Sequence, residues 1–520
     1  MTRFPRVFAS VIAASMLASP ISAQGGLGGV GGVVGGVVGG ARGTVGNTVG
    51  GLGNTVGGLS GTLGGFGPIG GVIGGIGNTV GGIAITTGGR IGGSNGLSSG
   101  QLGGFGLSSG SSSYNPYTQR SIFGGLAALD LVGGPDGIAY ATPQAMEDYR
   151  EARIAALIDA NPATLDRDSK GDPVRKRELI ASDPDAASLV LAARAGFRIV
   201  GDEQEASLGI RLVTLAIPKR MNVRQAMKTI RKAAPALQAD FNHIYEPSGG
   251  ALVPVAGARL AAAHRKPVAG AHRKPGAVPV ARQITRIAMI DGGVAAHPAL
   301  ARANIVQQGF AGPAQPTGHG TAVGSLLVGE QGPFHGAARG AQLFVGDIYG
   351  GNPAAGSATA ILRALSWAVS KNPSVINISL VGPDNAALAR AIAAAKARGI
   401  QVVAAVGNDG PAAPAQYPAS YPGVVSVTGV DSKGRALPEA GVARHLDFAA
   451  PGADMIAAFP GDGYTSVRGT SFAAPLAAAR LALTGSYQRL TLEARPGTGK
   501  VGRGIVCAAC RVDPKYMRRK

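Results

Sequence analysis

Asp291, His319 and Ser471 follow one another in chain order, each where an apolar run meets a glycine-rich turn. Asp291 follows Ile287-Ala288-Met289-Ile290, His319 lies in Gly318-His319-Gly320-Thr321, and Ser471 lies in Gly469-Thr470-Ser471-Phe472-Ala473-Ala474-Pro475. A serine hydroxyl is a weak nucleophile until a base takes its proton. A histidine does this near neutral pH if a carboxylate fixes its tautomer and stabilises the imidazolium. The oxyanion that follows needs donors aimed at it. The side chain of Asn408, in Val406-Gly407-Asn408-Asp409-Gly410, can supply one, and the Ser471 backbone N–H at a helix start can supply another. Together these residue types fit acyl transfer. Singly they mean little, since a lone histidine usually packs and Gly-Thr-Ser is usually a turn.

The elements that must position them read as follows. Arg286 to Ile290, Ala341 to Ile348, Val375 to Leu380, Ile400 to Val406 and Val424 to Val430 are apolar, β-branched runs. Helical patterns at 319–329, 356–370 and 385–398 lie between them. Strands that are apolar on both faces and separated by helices predict a parallel sheet covered on both sides, an α/β fold. Such sheets carry their sites at the carboxyl ends of strands. Asp291 and Asn408 stand there, while His319 and Ser471 open helices.

In this combination residues 285–485 resemble the subtilisin-like serine peptidases, the subtilases. The resemblance rests on Asp291-Gly292-Gly293 with His297-Pro298, Gly318-His319-Gly320-Thr321, Asn377-Ile378-Ser379-Leu380, Gly407-Asn408 and Gly469 to Pro475. Order and spacing are those of the family, whereas α/β-hydrolases run serine, acid, histidine. The resemblance implies a three-layer α/β/α fold with a mostly parallel sheet. It also implies a serine endopeptidase that acts on protein or peptide substrates through an acyl-enzyme. Ser379, Leu380, Val381 and Gly382 would then lie along the bound substrate. Two departures stand out. Gly292 replaces the usual serine or threonine, which removes a local hydrogen bond, and Val381-Gly382 replaces a common glycine pair. A stiff β-branched valine at Val381 predicts a narrow pocket for the residue before the scissile bond. Alanine, serine or glycine is expected there ahead of phenylalanine or tyrosine. No acidic calcium-binding loop is recognisable. No metal ligand is assigned and no cofactor is required, with calcium left open.

Upstream, residues 114–250 contain a small α+β core, expected at about 190–250. Phe197 to Val200 and Leu208 to Ile217 alternate as strands, Asn222 caps a helix over Val223 to Lys232, and Ala239 to Tyr245 is extended. The subtilase resemblance makes this segment propeptide-like: a folding aid and intramolecular inhibitor removed by cleavage. His243 reads as structural. Residues 251–284 are a basic Ala/Pro-rich linker that repeats Ala263-His264-Arg265-Lys266-Pro267 at 271–275. Maturation is expected between Ala251 and Thr285. Residues 1–23 read as a secretory signal, with Arg3 and Arg6 before the apolar Val7 to Leu17 and a cleavage site at Ile21-Ser22-Ala23. That reading places the protein outside the cytoplasm: secreted, periplasmic or on the cell surface. Residues 24–113 form a glycine-rich, disordered segment. Gly46-Asn47-Thr48-Val49-Gly50-Gly51 recurs at 53–58 and 77–82, and few large side chains are present to offset glycine's ordering entropy.

The net charge of +20 raises nucleic acid as a partner, but its location argues against one. Residues 251–290 carry seven basic and no acidic residues and 486–520 carry nine against two, while 291–485 carry twelve against ten. The excess lies in a linker and a tail, so no nucleic-acid partner is expected. No apolar run approaches the ~20 residues of a membrane span. In the tail, 486–520, Cys507 and Cys510 are read as a local disulfide, the default outside the cytoplasm. Two function classes remain. One is a secreted serine endopeptidase made as a zymogen. The other is a surface or structural protein whose glycine-rich arm does the work and whose subtilase domain acts mainly on itself.

Overall fold

The computed structural model describes residues 142–248, 259–260 and 284–518, all within one structural unit, 108–520. The expected signal, the glycine-rich segment and most of the linker lie outside the described residues.

The N-terminal part is an α+β domain. Helix α1 (Pro143–Ala160) leads to β1 (Leu165–Arg167), β2 (Pro173–Ser182), α2 (Ala186–Arg194), β3 (Arg198–Glu205), β4 (Ile210–Ala216), α3 (Val223–Ala233) and β5 (Ala239–His243). Strands β1, β4 and β5 all pair antiparallel with the long β2, and β3 pairs antiparallel with β4. Asn222 caps α3 in a capping box with Gln225, which satisfies two backbone donors at once. The α+β core therefore begins at Leu165, earlier than the expected 190. The run Arg175-Lys176-Arg177-Glu178 hides β2 in the sequence, although both ends of that strand are buried.

The sheet offers two apolar faces because its strands alternate. Val213 and Leu215 of β4 pack with Val223, Met227 and Ile230 of α3, while Ile210 and Leu212 join a core belonging to the next domain. A two-residue strand, β6 (Glu246–Pro247), continues the domain's last strand into that neighbour.

From Arg286 the chain builds β7 (Arg286–Asp291), β8 (Asn304–Gly309), α4 (Gly318–Val328), β9 (Gln342–Asp347), α5 (Ala358–Ser370), β10 (Val375–Ile378), β11 (Leu380–Val381), α6 (Ala386–Ala397), β12 (Gln401–Ala405), β13 (Val425–Val430), β14 (Phe448–Pro451), β15 (Met455–Ala458), β16 (Tyr464–Val467), α7 (Thr470–Thr484) and α8 (Tyr487–Glu493). Seven strands form one parallel sheet in the order β14-β13-β12-β10-β7-β9-β8. In β7, Ile287 and Met289 face α4 and α7, whereas Ala288 and Ile290 face α5 and α6. This is a three-layer α/β/α sandwich, and the expected strands and helices agree with it to within a few residues. Val375 to Leu380 is an exception, since it breaks at Ser379 into β10 and the separate β11. Among the described residues no helix is long and apolar enough to cross a membrane.

The expected tail is folded. Helix α8 packs through buried Leu490, Val506 joins the core of the α4 and α7 face, and Cys507 is disulfide-bonded to Cys510. The Val506 N–H donates to the Ala449 carbonyl at 2.8 Å, and the Ile456 N–H donates to the Val512 carbonyl at 3.0 Å. Basic composition concealed these few buried side chains.

Candidate active site

Strand β7 runs to one side through β8 and β9, and the chain then resumes on the other side with β10. The gap between β7 and β10 is thus the point where winding reverses, the usual place for a cleft in an open parallel sheet. Asp291 ends β7 and Ser379 follows β10.

Helix α4 delivers His319. Its N-cap Thr317 accepts the Gly320 N–H at 2.9 Å, so the histidine stands in the first turn. Glycines lock this turn onto the end of β7. A Cβ on Gly320 would strike the Gly292 carbonyl, and one on Gly292 would strike the Thr317 hydroxyl. Gly292 is therefore the residue that lets Thr317 stand beside Asp291. His319 Nδ1 lies 2.9 Å from Asp291 Oδ1. Since that carboxylate oxygen accepts, the Nδ1 atom carries the proton and Nε2 is left as the base. Asp291 Oδ1 also accepts the Gly292 N–H at 2.7 Å, while Oδ2 is buried with no partner. Gly292 has no side-chain hydroxyl to offer that atom. Asp347, level with Asp291 in the neighbouring strand, accepts the N–H groups of Gln315, Tyr349 and Gly350. Burial, with a contribution from Asp291, pushes its carboxyl above the usual range against those three donors.

Ser471 opens α7 behind Gly469, whose φ of +136° only glycine adopts easily. Pro475, four residues on, has no N–H to give the Ser471 carbonyl. Ser379 supplies the donor instead, an O–H in place of an N–H: its hydroxyl donates to that carbonyl at 2.9 Å. Asn377 Nδ2 in turn donates to Ser379 Oγ at 3.0 Å. Asn408 is oriented by the same helix start, because the Thr470 N–H donates to its Oδ1 at 2.9 Å. Its Nδ2 is buried with no partner, an unused donor on a side chain held at the start of the helix that carries Ser471.

The cleft is occupied by the chain itself. Strand β6 pairs antiparallel with β11, Pro247 opposite Leu380 and Glu246 opposite Val381. The Ser248 N–H donates to the Ser379 carbonyl at 3.1 Å. Ser248 Oγ lies 2.5 Å from Ser471 Oγ, and Ser471 Oγ also donates to the Ser379 carbonyl at 3.2 Å. His319 Nε2 is buried without a hydrogen-bond partner. Asp291 thus holds His319, Ser379 holds the Ser471 carbonyl, Asn408 holds the start of α7, and the paired strand ends against the Ser471 hydroxyl. Val381 is buried, and its Cγ1 lies 3.3 Å from where a Cβ on Gly407 would stand.

The family's sequence profile, described as the Subtilase family, matches residues 283–495. Subtilisin Savinase of Lederbergia lenta is 33% identical over 206 residues, which cover 38% of this chain and 75% of that one. The chain belongs to the subtilase family. The subtilase also matches the Alkaline protease of Alkalihalobacillus alcalophilus at 33% over 206 residues, but spans only about half of it, 53%, and 38% of its own length. Among solved structures, fervidolysin from Fervidobacterium pennivorans aligns with a TM-score of 0.52 at 19% identity, over 67% of this chain and 62% of that one. This last likeness is one of fold.

Of the residues expected from the sequence, Ser379, Leu380 and Val381 pair with or bond to the incoming strand, Asp291 holds His319, and Asn408 holds the N–H of Thr470 beside Ser471 in the chain. Sequence reasoning missed Ser248, Tyr245 and Arg153. Arg153, on α1, donates to Asp409 Oδ1 at 2.9 Å and to Glu246 Oε2 at 3.2 Å, so it joins the bound strand to the loop that carries Asn408. Burial works against this cation, but Asp409 and Glu246 outweigh it and raise its pKa. The extended piece read from the sequence, Ala239 to Tyr245, stops three residues short of Ser248, and two glycines follow that serine. His243 is structural, as expected: it is buried between Asp168, 3.4 Å from Nε2, and Asn385, 3.2 Å from Nδ1.

Proposed function

We propose that this subtilase is a serine endopeptidase made as a zymogen, with the α+β domain as its intramolecular inhibitor. The observation that carries the reading is the seating of Glu246-Pro247-Ser248 along β11 with Ser248 against Ser471. His319 Nε2 takes the Ser471 hydroxyl proton as Oγ attacks the carbonyl of the residue before the scissile bond. The oxyanion receives N–H donors from Asn408 Nδ2 and Ser471. Collapse expels the amine, which takes its proton from His319 and leaves an acyl-enzyme, and water then repeats the sequence with the same base. Asp291 holds the tautomer throughout.

The reading puts the first cut between Ser248 and Gly249. This lies just upstream of the window expected from linker composition, because strand pairing rather than exposure selects the bond. Val381, lying over Gly407, supports the small first pocket, and serine is the residue the tail presents there. The N-terminal signal pattern and the Cys507–Cys510 disulfide support a place outside the cytoplasm.

The test compares wild type with Ser471→Ala, each expressed in a protease-deficient host. Wild type is expected to hydrolyse casein and to yield a fragment beginning at Gly249, with Ser471→Ala inactive and uncut. Full activity in Ser471→Ala overturns the mechanism. A cut in that variant shows processing by another enzyme. Self-cleavage without casein hydrolysis favours the self-processing surface protein.

A further inference from the structure

A second buried carboxylate stands beside Asp291, and none of the chemical steps above uses it. Asp347 ends β9 as Asp291 ends β7, and the two are partners in the parallel ladder, one strand spacing of about 4.8 Å apart. Both are 0% exposed. Among the described elements packed around them, β8 and the segment 310–317 carry no ionisable side chain, and α4 carries only His319. Arg286 lies at the far end of β7, Arg363 on α5 is paired with Glu203, and Arg480 on α7 is paired with Glu493. His297 is turned to the Gly463 carbonyl, and the Tyr349 hydroxyl to that of Tyr245. The imidazole is therefore the group left to balance two carboxylates. Burial and then Asp291 raise the Asp347 carboxyl, while three backbone N–H donors favour its charged form.

One of those donors ties Asp347 to both catalytic segments. The Gln315 N–H donates to Asp347 Oδ2 at 2.8 Å, and the Gln315 carbonyl accepts the Gly293 N–H at 3.1 Å. The Thr317 N–H donates in turn to the Gly293 carbonyl at 2.9 Å. Gly293 closely follows Asp291, and Thr317 caps the helix that carries His319. Asp347 thus anchors the place where the two segments cross.

Resting on the reading of this cleft as a peptidase site, we propose that Asp347 is a positioning residue of the reaction: its charge favours the protonated form of His319, and its bond to Gln315 holds the Asp291 and His319 segments in register. It touches no reacting atom and acts through its neighbours. Removing an anion here destabilises the imidazolium, so the ring gives up its proton at lower pH. The acid limb of kcat/KM, which reports the base of the free enzyme, then moves to lower pH.

The experiment uses the self-processed full-length protein and labelled casein, with kinetics followed through the histidine titration range and above it. The wild-type acid limb should lie above the ordinary histidine value of about 6.5. Asp347→Asn keeps the shape and an acceptor for Tyr349 and Gly350 but lacks the charge, and its limb should lie about 0.5–1 unit lower. On the plateau its kcat should fall about 10- to 100-fold with KM little changed. Asp347→Glu restores the charge on a longer arm, and should return the limb toward wild type without returning the rate. An unmoved limb in Asp347→Asn overturns the proposal, as does an equal downward shift in Asp347→Glu. If Asp347→Asn fails to fold, Asp347→Ser, which keeps a short acceptor for the Tyr349 N–H, is read in the same way. A wild-type limb below about 6.5 overturns the proposal whichever variants fold. In each of these outcomes casein is cleaved and the peptidase reading stands. A processed wild type that leaves casein intact overturns that reading instead.

Discussion

The α+β domain meets the catalytic domain in two places of opposite character. On the outer face of α5 and α6 it makes a broad contact in which Ile180, Leu208, Ile210 and Leu212 are buried and separate polar links surround them. Glu203 pairs with Arg363 and Asp183 with Arg390, Asp240 accepts the Ala386 N–H at 2.7 Å, and Asn242 exchanges hydrogen bonds with Thr359 at 3.1 Å. In the cleft, by contrast, one narrow strand is buried among groups that are mutually dependent. The ion pairs on the outer face are about a third or more exposed, and pairs of that kind contribute about 0–1 kcal/mol each. Area and position hold the domain on the first surface. Chemistry and specificity reside on the second.

Substitutions should separate the two. Asn408→Ala removes the free Nδ2 donor together with the acceptor for the Thr470 N–H, and should lower kcat by roughly 10²- to 10³-fold with KM little changed, the size known for the equivalent donor in subtilisin. Steady-state kinetics on the processed enzyme check this, and a KM effect as large as the kcat effect would mean that Asn408 binds substrate instead. Val381→Gly should enlarge the first pocket and raise the ratio of kcat/KM for phenylalanine over alanine there by about 10- to 100-fold. A wild-type enzyme that already prefers phenylalanine removes the argument.

Arg153→Ala leaves Asp409 and Glu246 without their shared cation at the cleft. Release of the cleaved N-terminal fragment should then quicken about tenfold or more, visible as a shorter lag before casein activity appears. Arg363→Ala, on the outer face, should change that lag by less than about threefold. If the two variants behave alike, the contrast between the surfaces fails.

The same contrast governs what could be read from the sequence. The sheet and the candidate triad were legible because β7, β9, β10, β12 and β13 are largely apolar runs, with Asp291 at the end of one and His319 and Ser471 in glycine-flanked helix starts. The occupant of the cleft was not legible, since nothing local to Ser248 says that it will meet Ser471, 223 residues away. Strand β2 was masked by its charged middle, and α1 carries its apolar stripe, Ile154, Leu157 and Ile158, only in its second half. The segment after Glu493 looked like a solvated tail because its few buried residues are diluted by arginine and lysine.

That segment also changes how the sheet ends. At the β8 edge, Asn304 and Gln308 are exposed polar residues, and the Gln307 amide is bonded to the Val294 backbone. The β14 edge is apolar and buried throughout, the kind of unpaired border that recruits strands from other molecules. Residues 504–506 lie along it: the Ala449 N–H donates to the Gly504 carbonyl at 3.0 Å, and the Val506 N–H returns to the Ala449 carbonyl at 2.8 Å. The chain beyond residue 495, where the match to the family profile ends, thus acts as a selvedge along this border of the fabric.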